Sequence, residues 1–456
     1  MTRTDFSARA VLALRAALLA GVALVAVAGP VSAETLQEAL ETTYETNPTL
    51  LAARAELRAT DEGVQQAKAG WRPTVTLRAT VGRTETDEPI TTISEPWQTT
   101  FSASQPIFSG GRTLASFSRA KALVRAGRAS LLATEQQVLL SAVTAYVDVL
   151  RDTAVVELSR NQVSVLEHQR QASQDRFDVG EITRTDVAQA EARLSRSRTS
   201  LIAAEAQLAA SRASYERVIG RAPEGLEEAA ALPALPDSLE AAVAEARDRN
   251  PQVVAAREIE RASSYGINLA IGALLPTVSL DAIWTRGEDE ATGGSRNEST
   301  TVQGVLTMPI YQGGDEYSAI RQARETNSKN MLEIAEAERS VIEQATNAWE
   351  NLRAARSSIE SNRKQVEASV IAYEGVVQEA EVGARTTLDM LDAEQELLDA
   401  RVSLVRAERD QLVAAYALLA ATGRLDAGTL GLNVEVYDPL DHYNGAAGDW
   451  LGIWGN

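Results

Sequence analysis

The sequence contains no cysteine and only two histidines, His168 and His442. The first absence excludes disulfides, thiol chemistry and a lipid anchor on cysteine. Neither histidine has a metal-ligand partner at useful spacing, so no metal site is expected. There is no P-loop, dinucleotide fingerprint or nucleophile elbow, which argues against an enzyme and against a cofactor. Aromatic residues are scarce at 5%. Past residue 28 no apolar run approaches the roughly 20 residues of a spanning helix. Acidic residues outnumber basic ones, 63 to 44, and a net charge of −19 makes a poor nucleic-acid binder.

The N-terminus carries Arg3, Arg9 and Arg15, an apolar run from Ala16 to Ala28, then Val31-Ser32-Ala33. This pattern predicts a secretory signal peptide over residues 1–33. Losing its three arginines and one aspartate takes the net charge to about −21. The remainder is dominated by Ala, Leu, Glu and Arg, the composition of long helices and coiled coils.

One short stretch occurs twice, 203 residues apart: Pro106-Ile107-Phe108-Ser109-Gly110-Gly111 and Pro309-Ile310-Tyr311-Gln312-Gly313-Gly314. Each follows alternating polar and apolar residues and precedes a long stretch without proline. Proline cannot donate to a β-ladder and paired glycines free the backbone, so each copy reads as a strand–helix junction. Asn47-Pro48 and Asn250-Pro251, Gly180 and Gly383, Asp186 and Asp389, and Gly220 and Gly423 share the offset. The chain therefore reads as two structural repeats, 34–220 and 238–423. A proline-punctuated linker joins them at 221–237, and a tail follows at 424–456.

Within the first repeat, Val75, Leu77, Ala79 and Val81 alternate with threonines and Arg78. Trp97, Phe101 and Ala103 alternate with Gln98, Thr100, Ser102 and Ser104, across a polar loop at 85–89. This predicts a β-hairpin over 74–108, and the same pattern predicts one over 277–311 with a loop from Gly287 to Ser299. Alternation alone fits any half-buried sheet. Strands of about 10 residues, polar inner faces and aromatics near the strand ends fit a membrane-spanning barrel. Four strands cannot close one, and open edges are not tolerated in lipid, so several chains must share it.

From Arg112 to Val179 there is no proline, and Leu139, Val143, Tyr146, Val147 and Leu150 form a stripe at helical spacing. Such a helix would reach ~100 Å at ~1.5 Å per residue. It turns at Gly180 and a return helix runs from near Thr185; the second repeat does the same from Asp315, turning at Gly383. Thr183 with Asp186, and Thr386 with Asp389, have capping-box spacing. Capping does not explain Asp392, one turn further along the same face.

Two copies of helix, hairpin, long helix, glycine turn and return helix behind a leader resemble the TolC family of outer-membrane channels. The double Pro-Ile-Phe/Tyr-Ser/Gln-Gly-Gly junction and Val382-Gly383-Ala384-Arg385-Thr386-Thr387-Leu388-Asp389-Met390-Leu391-Asp392 carry the resemblance. It implies a mainly α fold, long antiparallel coiled-coil helices forming an α-barrel. Four strands per chain would join a shared 12-stranded trimeric transmembrane β-barrel in the outer membrane. A homotrimer, contact with outer-membrane lipid, a periplasmic adaptor and an inner-membrane pump or ABC exporter follow from it, with efflux or type I secretion as the task. Asp389 and Asp392 fall on a constriction ring, and Arg385, Thr185 and Asp186 on gate-closing contacts. Val179, Gly180, Glu181, Val382, Gly383 and Ala384 fall on adaptor-docking turns, and Pro106, Gly110, Gly111, Pro309, Gly313 and Gly314 on the junctions. The chain departs from the pattern at Ala380, where the resemblance calls for tyrosine. A soluble periplasmic coiled-coil scaffold is the alternative; it accounts for the helices but not for strands with one polar face.

Overall fold

The computed structural model describes residues 33–87, 91–228, 232–288 and 296–446. The expected leader lies, but for Ala33, outside them. Two short helices come first, α1 (Leu36–Thr46) and α2 (Pro48–Ala69), then strands β1 (Thr74–Val81), β2 (Thr84–Asp87), β3 (Thr91–Ser94) and β4 (Trp97–Ser109). The long helix α3 (Arg112–Asp178) and its return α4 (Arg184–Ile219) follow. The second series is α5 (Leu239–Arg249), α6 (Pro251–Gly272), β5 (Thr277–Glu288), β6 (Arg296–Thr307), α7 (Asp315–Glu381) and α8 (Thr387–Ala421), with a one-turn α9 (Asp441–Ala446).

Local chemistry explains the joints. Thr35 and Glu38 form a reciprocal capping box at the start of α1. Asn47 caps α2 with Pro48 in its first turn, and Asn250 caps α6 with Pro251. Each asparagine also holds a second helix. Asn47 Nδ2 donates to the Val218 carbonyl at the end of α4, and Asn250 Nδ2 donates to the Ala421 carbonyl at the end of α8. Each short helix is thereby bolted to the terminus of a return helix, whose last carbonyls lack intrahelical partners. Towards the sheet α3 packs beside α2 and α6, and towards the turns it packs beside α4 and α8. No described helix is long and apolar enough to cross a membrane.

The four long strands form one antiparallel sheet in the order β1-β4-β5-β6. Register sets Val75 beside Ala103, Ala103 beside Ala282 and Ala282 beside Val302, with Leu77, Phe101 and Trp284 in the next row. The apolar residues of all four strands thus share one face, while Thr76, Ser102, Thr301 and Gln303 share the other. Ile283 and Val305 are apolar exceptions on the polar face. Val75, Leu77, Val302 and Leu306 are each more than half exposed. An apolar face this large and uncovered marks an interaction or membrane surface.

Three expectations change in detail. Residues 85–87, read as loop, are strand: β2 pairs with β3 as a separate small hairpin, supported by β-branched residues and an Arg83–Glu95 ion pair. The loop expected over Gly287–Ser299 is shorter, because β5 continues to Glu288 and β6 begins at Arg296; residues 289–295 are outside the described set. The two junctions also differ. β4 is paired on both flanks, so it continues through Pro106 to Ser109 against β5. β6 is a sheet edge and ends at Thr307, leaving Met308–Tyr311 outside the ladder.

The main core sits where the short helices, α3, α4, α8, the linker and the tail meet. Tyr146, fully buried in the predicted stripe, sets its hydroxyl 2.7 Å from the carbonyls of Glu34 and Glu227. The tail packs on the first repeat: Tyr437 N donates to the Tyr44 hydroxyl, and Arg54 lies over both rings. The close of α8 is tight. Gly423 has φ +75°, and a Cβ there would stand 2.7 Å from the Arg249 carbonyl oxygen. At Gly220, its counterpart 203 residues earlier, the nearest atom would be a movable Thr46 hydroxyl at 3.4 Å. Gly423→Ala is therefore expected to cost roughly 2–5 kcal/mol, from left-handed strain and overpacking together. Gly220→Ala should cost about 1–2 kcal/mol. Thermal unfolding of both variants checks the order; equal midpoints would refute it.

Candidate functional site

The helix turns at the far ends of α3 and α7 gather most of the residues picked out by the sequence. In each, the chain leaves the helix through a left-handed glycine, Gly180 at φ +83° and Gly383 at φ +75°. Gly180 N donates to the Phe177 carbonyl and Glu181 N to Arg176; Gly383 N donates to Ala380 and Ala384 N to Glu379. These are Schellman closures, which satisfy the last helical carbonyls. A Cβ on either glycine would meet nothing within 4 Å, so backbone conformation alone demands glycine there. Val179 and Val382 stand 73% and 79% exposed, two apolar knobs at the tips.

Past each glycine a capped helix begins. Thr183 N and Oγ1 both donate to the Asp186 carboxylate, at 2.9 and 2.8 Å. Thr386 N and Oγ1 do the same for Asp389, at 3.0 and 2.8 Å, and Asp389 N donates back to Thr386 Oγ1. Hydrogen bonds from the threonine side chain and backbone hold the Asp186 carboxyl below its usual range, and those from the backbone and side chain of Thr386 do so for Asp389. Both acids are thus ionised caps on helix N-termini. Thr185 is exposed beside them and has no side-chain partner among the described residues.

Two charged contacts form at this end within the single chain. Within the chain, Arg385 donates from Nε to Glu379 at 2.8 Å, back along its own helix end, and makes no ion pair with Asp186. Asp392 is held by Arg193 of α4. That pair ties the return helix of one repeat to the return helix of the other. Below it, Leu166, Leu194 and Leu391 form a small buried cluster drawn from α3, α4 and α8. The ion pair is part-exposed and contributes at most about 1 kcal/mol, so the cluster does more than the charge to hold α3, α4 and α8 together here.

Two residues here escaped the sequence reading. Arg193 could not be paired from either repeat alone, because its partner lies in the other one. Glu394 was legible: it follows Leu391 by three residues and precedes Leu397 by three, a carboxyl set in an apolar stripe. It is 6% exposed, and burial pushes its pKa up to about 7. No described group of histidine, cysteine or carboxylate residues could hold a metal ion. The open groove between α7 and α8, lined by Asn351, Ser358, Asn362 and Arg406, has no convergent reactive groups.

Long paired helices ending in capped acidic turns, joined to a sheet with one lipid-compatible face, define an outer-membrane duct. The outer membrane efflux protein family model matches residues 36–221 and 242–424, and the chain belongs to that family. It is 37% identical over 454 residues to the outer membrane efflux protein BepC of Brucella suis, covering 99% of both chains. It is 26% identical to the outer membrane protein TolC of Vibrio cholerae, over 90% of this chain and 95% of that one. Among solved structures, the CmeC outer membrane channel of Campylobacter jejuni superposes with a TM-score of 0.79 at 15% identity, covering 91% of this chain and 89% of that one. This is a channel family of the outer membrane and not an enzyme family.

Glu394 sets a pH dependence at this end of the molecule. The folded state keeps its proton between pH 4.5 and about 7, where the unfolded chain has lost it. Its contribution is therefore complete below pH 4.5 and is lost as pH rises through 7. Glu394→Gln should raise the thermal midpoint at pH 8, with the gain shrinking on acidification and vanishing below pH 4.5. A gain independent of pH would show that burial of the charge is not the cause.

Proposed function

We propose that three copies of this chain form an exit duct that spans the periplasm and opens through the outer membrane, as the outer-membrane part of a tripartite export machine. The observation that carries it is the pair of unmet sheet edges. Among the described residues β1 and β6 each lack a partner on one side, while their apolar residues face outward with those of β4 and β5. In hydrocarbon such edges must be paired, and a second copy placed edge to edge pairs β6 with β1. The junction glycines agree. A Cβ on Gly110 would come within 2.5 Å of the Gly272 carbonyl oxygen, so the first junction is packed against α6. Gly313, its counterpart, meets nothing within 4 Å, which leaves room for the corresponding helix of a neighbouring copy. Each repeat contributes one long-stranded hairpin, giving twelve strands from three chains. A soluble scaffold has no use for a four-stranded sheet with an uncovered apolar face.

The far end of the duct is the docking and gating end in this reading. The exposed Val179 and Val382 tips, with Gly180, Glu181, Gly383 and Ala384, receive a periplasmic adaptor, which couples the duct to an inner-membrane pump or ABC exporter. In a trimer Asp389 and Asp392 surround one axis as six carboxylates, a ring that favours cations and is blocked by multivalent ones. Arg385, Thr185 and Asp186 hold neighbouring turns shut, with Arg193–Asp392 as a further tie. End-to-end similarity to an outer membrane efflux protein favours efflux over protein export as the task.

Light scattering of the detergent-extracted protein should give a trimer, and a monodisperse folded monomer would end this reading. Single-channel conductance in planar bilayers tests the gate. Arg385→Ser should raise conductance severalfold, whereas Asp389→Asn with Asp392→Asn should abolish block by trivalent cations. Wild-type conductance and block in both variants would leave Asp389 as a helix cap alone.

A further inference from the structure

We infer that the basic, aromatic surface where α2 and α3 approach the sheet binds the phosphate headgroups of anionic phospholipids. This rests on the trimeric-barrel reading, which turns the apolar sheet face toward lipid. Residues 63–72 and 110–134 contain Lys68, Arg72, Arg112, Arg119, Lys121, Arg125 and Arg128, and no acid. This is a local excess of positive charge in a chain whose net charge is −19. Helix packing does not demand it. The second repeat builds the same helices with Asp315 where the first has Arg112, Ile271 where it has Lys68, and Glu316, Glu325 and Glu333 nearby.

The surface has an internal order. The Phe117 ring packs edge-on against Trp71 at 5.5 Å, with Lys68 Nζ 6.0 Å and Lys121 Nζ 5.2 Å from its centroid. Trp71 is 45% exposed and stands three residues before β1, whose Val75 and Leu77 begin the uncovered apolar face. Arg125 is engaged with Glu258, and Arg128 lies over Tyr443. Lys68 and Lys121, by contrast, have no carboxylate within ion-pair distance among the described residues. Aromatic rings sit at the headgroup level of a bilayer, and ammonium groups beside them reach lipid phosphates. The surface is continuous with the lipid-facing sheet and has the charge to prefer anionic lipid over zwitterionic lipid.

Native mass spectrometry of the full-length protein released from nanodiscs of equal phosphatidylglycerol and phosphatidylethanolamine reads the retained lipids. Wild type should retain phosphatidylglycerol preferentially. Lys68→Gln with Lys121→Gln should cut that enrichment about fivefold per lysine, and Arg363→Gln with Lys364→Gln, far along α7, should not. Raising sodium chloride to about 0.5 M should weaken the wild-type preference without any substitution. A trimeric, inserted wild type retaining both lipids equally overturns this inference alone. So does a double variant with undiminished enrichment. A double variant that falls to monomers, while wild type keeps its preference at high salt, also overturns it, because the lysines then bridge acids of a neighbouring subunit. A wild type that stays monomeric and outside the disc removes the duct reading, and this inference with it.

Discussion

Everything in this chain answers to a rule about backbone amides: in hydrocarbon, each must find a partner inside the protein. A four-stranded sheet meets that rule in its interior and breaks it along β1 and β6. The apolar residues that make the sheet insoluble in water are the ones that make its open edges intolerable in lipid. In the trimer proposed above the sheet is a fragment of a larger closed object, and the helices share that incompleteness. In that trimer the packed glycine junction at Gly110 and the open one at Gly313 are one contact seen with and without its counterpart.

The helical columns solve a second problem, that of length. A helix of 67 residues has little to hold it but lateral packing, and a single partner of equal length would need a sequence as uninterrupted. The chain instead pairs each long helix with two shorter ones, stacked end to end and locked by an asparagine. Asn47 and Asn250 do two tasks at once, capping one helix and gripping the last carbonyls of another. Polar bonds at the break cost little stability, because the groups involved would otherwise be orphans.

Most of the architecture was legible in the residues. The 203-residue offset, the Asn-Pro pairs and the glycine turns mark element boundaries that the structure reproduces to within a residue or two, because each is a local backbone requirement. Capping of Asp186 and Asp389 was legible for the same reason. What local chemistry could not reveal was partnership across the repeats. Arg193 meeting Asp392 depends on how two return helices lean together, and spacing along one strand of sequence contains no record of that. The β2–β3 hairpin was missed because a run of threonine and acid reads equally as loop and as solvated strand. The packing of the tail could not be read, since its partners, Tyr44, Asp61 and Glu135, lie in the first repeat.

That last arrangement governs how the protein can be born. Leu425, Ala427 and Leu432 share one buried cluster with Ala39, Leu40 and Tyr44. The first repeat thus cannot complete its core until the final residues have been made and delivered. A chain passed through a membrane from its N-terminus gains no finished domain on the way, and both halves must wait exposed for the closing segment. Such long-range closure makes folding slow and dependent on protection during transit. It also means that a chain cut short near its end leaves the waist of the molecule open at its beginning.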